Sequence, residues 1–140
     1  MFQVILLAVD GSDHGQHAAR TAADLARAVQ ATEIRVVIAY DPIPSYLGEP
    51  NLGQAISARM KEAEEILEKT RAMIGSTPAQ LHTEILEGPA AEAILEVAAT
   101  RKSEIIVMGS RGLGRLEGAL LGSNSQKVVS HAHCPVLIVR

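Results

Sequence analysis

The chain has no tryptophan, and its only aromatic residues are one phenylalanine and two tyrosines among 140 residues. A core without large rings must be built from Ala, Val, Ile and Leu, which suits helices packed closely on a parallel sheet. Only one cysteine is present, Cys134. That excludes an internal disulfide framework and predicts a reducing, cytoplasmic setting. No apolar run reaches the roughly 20 residues that a membrane helix needs, so no membrane contact is expected. The opening Met1-Phe2-Gln3-Val4 carries no basic segment and leads straight into an apolar run, so no signal peptide is expected. A basic excess is lacking too. The formal charge is −3, which argues against nucleic acid as a partner. There is no internal repeat and no linker, and the length fits one domain over residues 1–140 with a core of real size.

What is present is an alternation. Phe2 to Val9 is almost wholly apolar and reads as a central strand. Asp10-Gly11-Ser12-Asp13 then turns the chain and caps a helix, Ser and Asp being favoured N-caps. Ala18, Ala22, Leu25, Ala26 and Val29 recur with the 3.6-residue period of one helix face. Ile34 to Tyr40 is a second strand. Asp41 to Asn51 holds Pro42, Pro44, Gly48 and Pro50, so it is a loop. A long second helix runs from about Leu52 to Ile74, with Leu52, Ile56, Met60, Ala63, Leu67 and Ile74 on its apolar face. Its other face is charged and solvated, with Lys61/Glu65 and Glu65/Lys69 at i, i+4. Gly75-Ser76-Thr77-Pro78 ends it.

Leu81 to Leu86 alternates apolar and polar residues, which predicts a half-exposed third strand at an edge. Gly88-Pro89 opens a third helix, with Pro in the first turn. Ala91, Ile94, Leu95 and Ala98 face inward, and Arg101-Lys102 suit the C-terminal dipole. Ile105 to Met108 is a fourth strand, Asn124 to His131 a fourth helix, and Val136 to Val139 a last strand. Five strands alternating with four helices predict an α/β three-layer sandwich. Its sheet is parallel, its crossovers right-handed, and its helices lie on both faces. The pattern alone leaves the strand order open.

Between the fourth strand and the fourth helix lies the segment Gly109 to Ser123, with five glycines in fifteen residues. Backbone N–H groups lie free where a strand-to-helix loop meets a helix start, and the helix dipole there favours negative charge. Glycine lets an anion approach the backbone closely. A run of such N–H groups forms a concave nest for phosphate oxygens. Gly109, Gly112 and Gly122 stand in the frame G-x2-G-x9-G, followed at once by the hydroxyl of Ser123. No Lys follows Gly122, so this is not a Walker A loop. A dinucleotide fingerprint would sit in the first strand-to-helix turn instead.

This frame resembles the ATP-binding motif of the universal stress protein family. The likeness covers the whole chain. It includes Val9-Asp10-Gly11-Ser12, Gly88-Pro89-Ala90-Ala91-Glu92 and the ending Cys134-Pro135-Val136-Leu137-Ile138-Val139. The resemblance implies a Rossmann-like fold with the strand order 3-2-1-4-5. The first and fourth strands are then neighbours, and a ligand would bind beyond their carboxyl ends, where the winding reverses. Asp10 and Gly109 leave those ends. The resemblance also implies ATP as ligand, with Mg²⁺ on its phosphates, and a homodimer paired through Val136 to Val139.

Candidate ligand contacts follow. Asp10 is expected at the ribose or adenine edge, the alternative being a turn-forming Asx residue ahead of a helix. Ala39 matches the position at which the family holds adenine through the backbone. Gly109, Gly112, Gly122 and Ser123 form the phosphate cradle, with Asn124 and Ser125 in the first turn of the helix. Asn124 departs from the small apolar residue common there in the family. Arg111 and Arg115 either pair with phosphate oxygens or are solvated loop residues. Leu113, Leu116, Leu120 and Leu121 are read as packing that shapes the loop.

His131, His133 and Cys134 do not read as a metal site, since ligands at i, i+2 do not share a helix face. His14 and His17 read as an exposed pair. The function expected is that of an ATP-binding regulator or sensor in a stress response. The alternative is a slow ATP hydrolase, or a phosphoryl or adenylyl transferase on the same fold. Neither a Walker lysine nor an evident base lies in the loop, so any hydrolysis should be slow. A purely structural dimerisation module is the third reading, and the complete glycine frame argues against it.

Overall fold

The computed structural model describes residues 1–111 and 121–140. Five strands are joined by four helices in strict alternation. They are β1 (Val4–Ala8), α1 (Asp13–Val29), β2 (Glu33–Tyr40), α2 (Asn51–Ile74), β3 (Gln80–Glu87), α3 (Ala90–Thr100), β4 (Ile105–Gly109), α4 (Ser123–His131) and β5 (Val136–Val139). A short 3₁₀ turn, Ser45–Leu47, interrupts the proline-rich loop before α2. All strand pairs are parallel, in the order β3-β2-β1-β4-β5. β3 lies at an edge, as its alternation predicts.

Side chains of successive strand residues point to opposite faces, and the core divides accordingly. Ile5, Leu7, Ile34, Val36, Ile105 and Val107 pack under α1 and α2. Leu6, Ala8, Val37, Ile106 and Met108 pack under α3 and α4. The face that α1 turns to the sheet is built of small residues, Gly15, Ala18, Ala19, Ala22, Ala23 and Ala26. Such a face lets the helix lie close on the central strands. Ser12 caps this helix, its hydroxyl accepting the Gly15 N–H at 3.2 Å.

Several element details differ from the sequence reading. β1 starts at Val4 rather than Phe2, because Phe2 has φ 61°, outside strand geometry. The apolar face of α2 is buried only in its second half, at Ala63, Leu67, Thr70 and Ile74. Ile56 and Met60 are 42 % and 37 % exposed. A helix of 24 residues is about 36 Å long, whereas an eight-residue strand spans about 26 Å. The first turns of α2 therefore project past the strand ends and find no sheet to pack on.

The ion pairs on α2 fall at i, i+3, as Arg59–Glu62 and Glu68–Arg71, rather than at the expected Lys61/Glu65/Lys69 positions. Pro89 is the N-cap of α3, one position ahead of its first turn. Arg101 is the C-cap of α3, its N–H donating to the Val97 carbonyl at 2.8 Å, and its guanidinium also pairs with Glu84 at 3.6 Å. α4 starts at Ser123, one residue earlier than expected.

A polar cluster ties β2 to β3. Arg35 is 8 % exposed and meets Glu33 at 3.2 Å and Glu84 at 3.1 Å. The contact with Glu84 crosses to β3 and favours the register in which Arg35 lies opposite His82, while Glu33, on the same strand, shares the buried guanidinium.

Candidate functional site

β1 and β4 are neighbours, and the winding of the chain reverses between them. A crevice opens beyond the carboxyl ends of the strands at such a point. Here it is a cavity of about 410 Å³. Its lining includes Asp10, Ala39, Gly109, Arg111, Gly122, Ser123, Asn124 and Ser125. Every candidate within the described residues thus borders one cavity. Gly112 and Arg115, with Leu113, Leu116 and Leu120, lie outside the described residues.

Asp10 ends β1 and makes the Asx contact that its turn suggests. Its Oδ1 accepts the Ser12 N–H at 2.9 Å. The turn needs Gly11, whose φ of 88° is left-handed. One carboxylate oxygen thus shapes the turn while the side chain still borders the cavity. Ala39 lies near the end of β2, next to the point where the Val9 N–H donates to the Val37 carbonyl at 3.0 Å.

The glycines of the frame act differently from one another. At Gly109 a Cβ would lie 2.8 Å from the carbonyl carbon and the Cβ of His14, and 3.0 Å from the Gly15 nitrogen. Glycine is needed there because the end of β4 presses on the first turn of α1. Gly122 has φ −68° and ψ 164°, which any residue adopts. It is the N-cap of α4 and supplies no side chain to that helix end. The leading N–H groups of a helix have no partner within it. The start of α4 therefore borders the cavity with no side-chain cap from its N-cap residue.

The two ends of the glycine segment are stitched together. The Gly122 N–H donates to the Ser110 carbonyl at 2.7 Å, and the Ser110 N–H donates to the Val139 carbonyl at 2.7 Å. Ser125 is 3 % exposed, and its hydroxyl donates to the Gly109 carbonyl at 2.9 Å. Its proton is thus spent on joining α4 to β4. Ser123 and Asn124 are exposed at the helix start. Lys127 fixes α4 from outside by its 2.7 Å contact with Glu92 of α3. That hydrogen bond, with a lesser one from the backbone, holds the Glu92 carboxyl below its ordinary range.

His14 departs from the sequence reading. It is half-buried, and its Nδ1 shares a 2.8 Å hydrogen bond with the Ser110 hydroxyl. His17 is exposed and stacks on it with ring centroids 6.3 Å apart. The His131 ring contacts the Lys127 carbonyl at 3.0 Å, one turn back along α4. Burial raises the Cys134 thiol above its ordinary range. Among the described residues no three His, Cys, Asp or Glu side chains are grouped to hold a metal.

Sequence reasoning missed the wall supplied by α2. Arg59, Glu62, Ala63 and Ile66 all line the cavity. They stand at i, i+3, i+4 and i+7, so the sequence shows that they share a helix face. Nothing local shows that this face meets the ends of β1 and β2. Ala90 and Ile94 of α3 close another side for the same tertiary reason.

The described lining mixes apolar side chains with polar groups and a bare helix start, a combination suited to a small ligand that carries both a flat apolar part and an anion. Comparison with known proteins bears on the same architecture. The model of the universal stress protein family matches residues 1–140. A universal stress protein of Thermus aquaticus is 47 % identical over 140 residues, covering all of both chains. The universal stress protein UspA of Lactobacillus plantarum superposes with a TM-score of 0.88 at 27 % identity, over 99 % of this chain and 98 % of that one. A universal stress protein in complex with cAMP superposes with a TM-score of 0.72 at 25 % identity, over 99 % of this chain and 97 % of that one. The sheet order, the continuous match and these likenesses agree: the chain belongs to the universal stress protein family.

Proposed function

We propose that this protein binds ATP in the cavity at the β1/β4 switch point and acts as a nucleotide-dependent regulator in a stress response. The observation that carries the reading is the start of α4, whose N-cap is a glycine without a side chain, opening onto a cavity that the described candidate residues all line. The phosphates would lie against the first N–H groups of α4, where donors and helix dipole combine. Gly122 leaves that end open. Asp10 would meet the ribose or the adenine edge, and the backbone at Ala39 would meet adenine. The universal stress protein in complex with cAMP supports an adenine nucleotide as the class of ligand. ATP in particular is what the glycine frame's resemblance to the family motif implies, and the cavity beside the start of α4 supports it.

Mg²⁺ would arrive on the phosphates, since Mg²⁺ keeps several waters and needs few protein oxygens. The carboxylates of Asp10 and Asp41 border the cavity and are available to such an ion. Its chemistry would be to neutralise phosphate charge. We also propose a homodimer through β5. This strand pairs with β4 alone among the described strands, and an uncovered apolar edge invites pairing with another chain.

The test of the nucleotide reading is the small-molecule content of freshly purified protein. Denaturation should release ATP or another adenine nucleotide. The same protein, freed of nucleotide, should take up ATP with Mg²⁺. A preparation that releases no nucleotide and takes up none would overturn the reading.

A further inference from the structure

The first turn of α1 contacts three consecutive residues at the entrance of the glycine segment. Gly109 abuts the His14 backbone so closely that a Cβ would lie 2.8 Å from it. The His14 ring reaches the Ser110 hydroxyl at 2.8 Å. The Ser12 hydroxyl donates to the Arg111 carbonyl at 3.4 Å, a long contact. The His14 contact joins two side chains, and it is buried on one side: Ser110 is 3 % exposed.

Ser110 is also the residue on which the segment closes. Its carbonyl accepts the Gly122 N–H, and its own N–H donates to Val139. Its three polar groups thus reach three elements: the start of α4, the end of β5 and the first turn of α1. Removing the His14 contact would free the one group that the backbone does not hold. A buried hydroxyl without its partner costs more than the hydrogen bond itself is worth, so Ser110 would shift to find another. Any shift of Ser110 passes directly to Gly122, the N-cap of α4.

We propose that His14 is a positioning residue for the phosphate end of the site. Through Ser110 it fixes where the start of α4 sits relative to Asp10, four residues before it in the sequence. His14 touches no ligand in this scheme. Its role is to hold the adenosine side of the cavity, which leaves β1, in register with the anion side, which opens α4. The inference rests on the nucleotide reading above.

The selective consequence is a loss in phosphate recognition without a loss in nucleoside recognition. The test titrates wild type, His14→Ala, Ser110→Ala, the double variant and His14→Asn with ATP·Mg²⁺ and with adenosine. An asparagine side chain can place a polar atom near the position of Nδ1. ATP affinity should fall about tenfold in His14→Ala, the equivalent of about 1.4 kcal/mol. It should fall similarly in Ser110→Ala, and little further in the double variant, because the two act as one contact. Adenosine affinity should stay within about twofold throughout, and His14→Asn should recover most of the ATP affinity. A merely structural histidine would lower the melting temperature and leave the ratio of ATP to adenosine affinity unchanged. Wild-type ATP binding with an unchanged ratio in His14→Ala overturns the inference alone. Failure of wild type to bind ATP overturns the nucleotide reading and this inference with it.

Discussion

At the residue scale, two glycines of one motif are there for different physical reasons. Gly109 is held by packing, since its missing side chain lets β4 touch α1. Gly122 has a backbone conformation open to any residue, so its missing side chain matters for what it leaves exposed. Gly109→Ala should therefore lose about 1–3 kcal/mol of stability, the usual cost of forcing atoms into a packed contact. Urea unfolding measures it, and a change below about 0.5 kcal/mol would show that α1 yields without strain. The spacing of these glycines was visible in the sequence, and so was the cradle hypothesis. The separate reason for Gly109 was not, because His14 lies far away along the chain and meets it only after the sheet has formed. The same holds for Ser125. A hydroxyl in the first turn of a helix suggests a ligand contact, but the folded chain gives its proton to Gly109.

At the element scale, periodicity predicted the strands and helices well where the pattern and the packing coincide. β5 is found at Val136–Val139 and β4 over the expected apolar run. The pattern misled in α2, where an unbroken apolar stripe continues past the end of the sheet. A stripe records what a helix could bury, not what lies opposite it. The link between α3 and α4 has a pH signature. Lys127 holds the Glu92 carboxyl low, chiefly through their hydrogen bond. A carboxyl lowered on folding stabilises the protein above its unfolded titration range. It loses that contribution as pH falls through its folded range. Lys127→Met should accordingly melt slightly below wild type at neutral pH, and the gap should close in acid once Glu92 is protonated. A gap that stays constant from neutral pH down to about pH 2, below the ordinary carboxylate range, would assign the effect to something other than this pair.

At the scale of the whole molecule, the alternation of elements dictated a parallel three-layer sandwich, and the likeness to a family supplied its strand order. No local pattern encodes which strands become neighbours, because that depends on contacts made across the whole chain. The order found in the structure brings Asp10 and Gly109 to one crevice, and the proposed function depends on that meeting. The proposed dimer can be tested at the same scale. The Pro135 and Val139 carbonyls bond to β4, at the Ile106 and Ser110 N–H groups. Backbone groups of a strand alternate in direction, so those of Val136 and Ile138 point to the open edge. Ile138→Pro removes an outward N–H and leaves the ladder to β4 intact. Light scattering should then show a dimer in wild type and a monomer in the variant; a dimer in both would place the contact elsewhere. The central claim concerns phosphate at the start of α4, and calorimetric titration of wild type and Gly122→Val with ATP·Mg²⁺ and adenosine tests it most directly. Valine fits the backbone angles of Gly122 and keeps the N–H that binds Ser110, so the circular dichroism spectrum should match wild type. Wild type should bind ATP more tightly than adenosine, and Gly122→Val should lose ATP binding. A folded Gly122→Val that binds ATP with wild-type affinity would contradict a phosphate site at this helix start.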